Sequence, residues 1–146
     1  MRKVTLLALV ISAPLPLNSF AMSNGAILSE RALRAECSYE ITGVRECLQE
    51  KQRASEANLK HAEKQAGASL DKWDEDPRYV KAAKARLVAS RKLFIEYREA
   101  QCAFASSLSG GAIGNALEQQ RLACVAELNN RRAEQLRDAV SDLPVK

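Results

Sequence analysis

Four cysteines, one histidine and one glycine-rich stretch are the features of this sequence whose types and spacing could do chemistry. Cys37, Cys47, Cys102 and Cys124 are its only cysteines, and no two form a Cys-x-x-Cys pair. Zinc coordination and thioredoxin-like exchange both want that spacing. An even count in a small exported chain reads instead as two disulfides, and oxidised sulfur leaves no thiolate nucleophile. His61 stands alone; its helical neighbours are Ala57, Asn58, Lys64 and Gln65. No second ligand type converges on it, so it reads as a surface helix residue. A serine nucleophile would want a G-x-S-x-G elbow, which is missing. No carboxylate lies in an apolar setting that would raise its pKa. These residues predict no catalytic, cofactor-binding or metal site, and a chain that is not an enzyme.

The stretch SGGAIGN (Ser109 to Asn115) has two readings: a phosphate cradle or the bend of a helical hairpin. A P-loop wants G-x-x-x-x-G-K-[ST] after a strand. Here Gly110, Gly111 and Gly114 follow a helical pattern, and no lysine or hydroxyl residue comes directly after Gly114. The bend is the better reading. Gly110 and Gly111 can take the left-handed conformation that ends a helix. Asn115 with Glu118 three residues on has the layout of a capping box that starts the next one.

The surrounding elements all read as helix. Aromatic residues make up 5% of the 146 residues, and alanine, leucine and long charged side chains dominate. The N-terminus is different: Met1 to Lys3 is basic, Val4 to Ala13 is apolar, and Ser19 and Ala21 are the small residues of a cleavage site. That is a secretory signal over residues 1–21, cleaved near Ala21. Pro14, Pro16 and Asn18 interrupt it too early for a membrane span, which needs about 20 apolar residues. The expected mature domain is 22–146, periplasmic or secreted, with no membrane insertion. Losing Arg2 and Lys3 leaves 20 basic and 18 acidic residues, a net charge of +2. The signs are interspersed, without the basic stripe that nucleic-acid binding requires.

A short turn is expected from Ser29 to Cys37. A first long helix is expected near 42–72 with Thr42 as its cap, and Val44, Leu48, Leu59, Ala62, Ala66 and Leu70 near one face. That stripe is thin, with Gln52 and Ser55 in its middle. A second helix near 77–108 opens on Asp76 as cap and Pro77 as first residue, with Val80, Ala83, Leu87, Phe94 and Tyr97 on its apolar stripe. A third runs near 115–141. The fold class is therefore all-α, an up-down-up three-helix bundle. Cys102 lies about 9 Å before the bend and Cys124 about 13 Å after it, at ~1.5 Å per residue. In an antiparallel pair that permits a Cys102–Cys124 bridge. Cys37–Cys47 then staples the N-terminal turn to the first long helix.

Between the first two long helices lies WDEDP (Trp73 to Pro77). Trp73 is the only tryptophan, beside Asp74, Glu75 and Asp76. It can pack over the end of the bundle, or it can anchor a partner while the acids steer a basic one. Arg98, beside the apolar stripe, is expected to pair with a carboxylate inside the bundle.

Over about Cys37 to Arg137 the sequence resembles the lysozyme-inhibitor LprI-like domain family of bacterial exported proteins. The most specific stretch is SRKLFIEYREAQC, in which Tyr97, Arg98, Glu99 and Cys102 match in place. Gly110, Gly111, Cys124, Arg132 and Leu136 follow, and Thr42 and Cys47 fit at the front, as do Asn58 and Leu59 in the family's leucine–asparagine region with their order reversed. The family commonly has tryptophan where Phe94 stands, glutamine at Arg91 and threonine at Asn129. The matched positions Phe94, Tyr97, Arg98, Gly110, Gly111 and Arg132 read as structural. The resemblance implies a non-enzymatic exported binding protein with a protein partner, lysozyme, and no cofactor. The alternative is an envelope module that assembles by helix–helix self-association, since thin apolar stripes leave room for a partner helix.

Overall fold

The computed structural model describes residues 26–111 and 114–146. The expected signal and its cleavage point, and Ala112 and Ile113 of the bend, lie outside the described residues. Four α-helices follow in order: α1 (Glu30–Cys37), α2 (Val44–Lys72), α3 (Pro77–Ser107) and α4 (Asn115–Ser141). The three long helices lie where the sequence places them. The description as a three-helix bundle needs correction, because α1 is a full element of the core. It buries Leu33 and Cys37 against Cys47 and Leu48 of α2 and Leu122, Ala123 and Ala126 of α4.

The helix starts show which local signals prevailed. Ser29 caps α1, its hydroxyl accepting the Ala32 N–H. Asp76 caps α3, its carboxylate accepting the Arg78 N–H at 2.8 Å, with Pro77 in the first turn. Thr42 does not cap α2. Gly43 holds that position with φ of 99°, and the chain leaves Cys37 through a tight turn that only glycine accommodates well. Asn115 likewise falls inside α4, and Gly114 with φ of 75° precedes it. Glu118, freed from a capping box, reaches across to Arg45 at 2.9 Å.

α2 and α4 run parallel and side by side, with Arg45 near Glu118 at one end and Asn58 bonded to Asn130 further along. α3 runs antiparallel to both. Leu59 and Ala62 of α2 meet Ala133 and Leu136 of α4, and Leu87 and Phe94 of α3 pack on that cluster. Alanines at these positions let the α2 and α4 backbones come close. The price is a small apolar core, which the covalent links reinforce. Cys37–Cys47 and Cys102–Cys124 are both bridged, each with a Cα–Cα separation of 5.6 Å. The first ties α1 to α2 and the second ties α3 to α4.

Candidate binding surface

Two features stand out from the helical scaffold: a polar seam inside it and a connector at one end. The seam begins at Ser55, the polar interruption in the α2 stripe. Ser55 and Asn129 are both fully buried. The Asn129 amide donates to Ser55 Oγ at 3.1 Å, and Ser55 Oγ donates to the Gln52 carbonyl at 2.7 Å. Arg98 Nη1 donates to Asn129 Oδ1 at 2.9 Å, so one asparagine joins all three long helices. The asparagine amide is matched on both sides, as burial demands, whereas Arg98 Nε is buried without a hydrogen-bond partner.

At its outer end Arg98 meets Glu99, which also accepts from Arg121 Nη2 at 2.9 Å. The expected carboxylate partner of Arg98 is thus its own chain neighbour at the bundle edge, and the interior partner is Asn129. The Arg98 hydrogen bond, with Arg121 assisting, holds the Glu99 carboxyl below its ordinary pKa. Phe94 lies between two guanidinium groups, Arg98 at 6.0 Å and Arg132 at 5.9 Å from its ring centre. Arg132 also donates to Ser90 Oγ at 2.8 Å. So Phe94, Arg98 and Arg132 form one cluster at the α3–α4 interface. Tyr97 does not join it; more than half of its surface is exposed. Gly110 and Gly111 lie together at the bend, far along α3 from that cluster, with Gly110 at φ of 59°.

The connector Trp73–Asp76 is held from the C-terminus. The Asp74 N–H donates to the Pro144 carbonyl at 2.8 Å, and the Lys146 N–H donates to the Lys72 carbonyl at 3.0 Å. Trp73 pairs with Val145 in an isolated antiparallel bridge. Trp73 is half-buried, whereas Asp74, Glu75 and Asp76 are exposed. Their carboxylates are differently occupied. Asp76 caps α3, and Glu75 Oε1 accepts the Asp76 N–H at 2.9 Å. Asp74 projects from the clamped backbone into solvent. The loop is therefore a fixed end-face with an aromatic edge and an acidic fringe.

His61 is exposed on α2, beside Lys60 and Lys64 in a shallow groove. Among the described residues no three His, Cys, Asp or Glu side chains gather as a metal site, and no helix is long and apolar enough to cross a membrane.

The class the fold defines is a small all-α scaffold of packed helices tied by two disulfides. More particularly, residues 34–136 match the family model described as lysozyme inhibitor LprI, and the chain belongs to that family. No curated protein and no solved structure matches it.

Proposed function

We propose that this protein is an exported, non-enzymatic inhibitor that binds a lysozyme. The family match over most of the chain carries the reading. Two clamped disulfides and the secretory layout of residues 1–21 support export. We place the contact at the Trp73–Asp76 end-face. A half-buried tryptophan is already partly ordered and gives up little conformational freedom on binding. Asp74, Glu75 and Asp76 offer the only run of three acids, which suits a basic enzyme.

The test adds oxidised mature protein in excess to lysozyme acting on peptidoglycan and measures the lysis rate. Inhibition is expected. Unchanged lysis together with no binding by calorimetry would refute the reading. Trp73→Ala locates the contact: it should weaken binding by about 2 kcal/mol, the size of an interface hot spot. If the ring is chiefly a packing element, the loss falls on stability, by about 3 kcal/mol, and binding by the folded fraction is kept.

A further inference from the structure

The C-terminal half of α3 carries an apolar row that no part of the described chain covers. Leu93, Tyr97, Phe104 and Leu108 are 64%, 54%, 58% and 70% exposed. With Ala100 they fall within a sector of about 80° at ~100° per residue, on the side of α3 away from buried Cys102. A helix normally turns such a row inward. Exposed apolar side chains scattered singly need no explanation, but a contiguous row marks an interaction surface.

We propose that this row is the interface of a two-fold symmetric homodimer, with α3 packed antiparallel against α3 of a second copy. Three observations select a second copy. The first is self-complementarity. A two-fold contact must match a patch to itself, and this row reads the same from either end about its midpoint between Ala100 and Gln101. Antiparallel pairing sets Leu93 opposite Leu108 of the second copy and Tyr97 opposite Phe104. Small Ala100 lies beside the axis, where the backbones come closest.

The second observation is charge. Residues 78–92 of α3 hold six cations (Arg78, Lys81, Lys84, Arg86, Arg91 and Lys92) and no acid. In the antiparallel arrangement these halves point away from each other, their centres about 45 Å apart and far beyond the ~8 Å screening length. A parallel pairing would stack them.

The third is area. The four large side chains expose about 500 Å² per copy. Fully covered, two such faces bury about 1,000 Å² in total, the lower bound for a specific interface, with the flanking Glu96, Gln101 and Ala103 adding to it. The dimer would be modest in affinity and dependent on concentration. It leaves the Trp73–Asp76 end-face free, so it stands or falls independently of the inhibitor reading.

The experiment is sedimentation velocity and light scattering on the oxidised mature protein over a wide concentration range. A shift from monomer to dimer is expected, and the double variant Leu93→Glu/Phe104→Glu should weaken it by about 100-fold. These positions are exposed, so helix content and melting temperature should stay near wild type. Val88→Glu, exposed on α3 but off the row, should dimerise normally. A monomer at every concentration overturns the proposal, as does a dimer that the double variant leaves intact. A monomer that binds lysozyme or anionic vesicles through Leu93 and Phe104 assigns the row to another occupant and equally overturns it.

Discussion

Asn129 sits where α2, α3 and α4 meet, and its amide is the one group that bonds to both neighbours. Truncating it to alanine takes the acceptor from Arg98 Nη1 and leaves Ser55 Oγ with only its bond to the Gln52 carbonyl. Asn129→Ala should therefore cost about 2–3 kcal/mol, read as a lower urea midpoint at an unchanged slope. Glu99 makes a second, pH-dependent contribution. Its carboxyl ionises more readily in the folded state because Arg98 and Arg121 bond to the anion. The stability this gives is present above the ordinary carboxyl pKa of 4.5 and lost as pH falls through the lower folded value. Glu99→Gln should flatten the acid limb of the stability curve in that window. Glu30 acts in the opposite sense, since partial burial raises its pKa, and its protonation favours the fold as pH drops. An acid limb as steep in Glu99→Gln as in wild type would remove Glu99 from this role.

The starts of the helices separate what glycine decides from what a polar cap decides. Gly43 has φ of 99°, and a Cβ there would stand 2.7 Å from Glu46 Oε2. Gly43→Ala should lose about 1–3 kcal/mol by thermal or urea unfolding, whereas Thr42→Ala should change stability by less than about 0.5 kcal/mol. The reverse order would restore Thr42 as the cap. The sequence made the long helices legible because Trp73 to Pro77 and Ser109 to Asn115 hold strong breakers with helix formers on either side. It also made both disulfides legible, since the hairpin puts Cys102 and Cys124 at one height. It left α1 underweighted: eight residues have little helical stability of their own, and only docking of Leu33 and the Cys37–Cys47 link make them an element. It misplaced Tyr97, because α3 touches α4 along a narrow strip and has more apolar faces than neighbours. Cys37→Ser/Cys47→Ser should accordingly lose about 3 kcal/mol, with early hydrogen exchange in α1 while α2 and α4 stay protected. Uniform loss of protection across all four helices would show that α1 is not a separate unit.

At the scale of the molecule the parallel α2–α4 pair is the foundation, with α1 along their N-terminal halves and α3 along one side. The C-terminal end is closed by the tail, whose last residues return to the α2–α3 connector. That contact consists of backbone hydrogen bonds from Asp74 to Pro144 and from Lys146 to Lys72. It buries little apolar surface, so it adds modestly to stability. Its effect falls on the order of the connector, which carries Trp73 and the exposed acids. A binding loop that is already fixed does not have to be ordered by its partner. Removing Leu143 to Lys146 should therefore leave helix content unchanged by circular dichroism and lower stability by about 1 kcal/mol. On the proposed end-face contact, lysozyme affinity should fall about tenfold, equivalent to ~1.4 kcal/mol of added ordering cost. Calorimetry should show that loss chiefly as a less favourable entropy, because the contacting side chains are all still present. Restoring the tail as a separate short peptide should not recover the affinity, since the clamp depends on its covalent attachment to α4. Equal affinity for the truncated and full chains would mean that the connector holds its shape unaided, through the Asp76 cap and Pro77 alone.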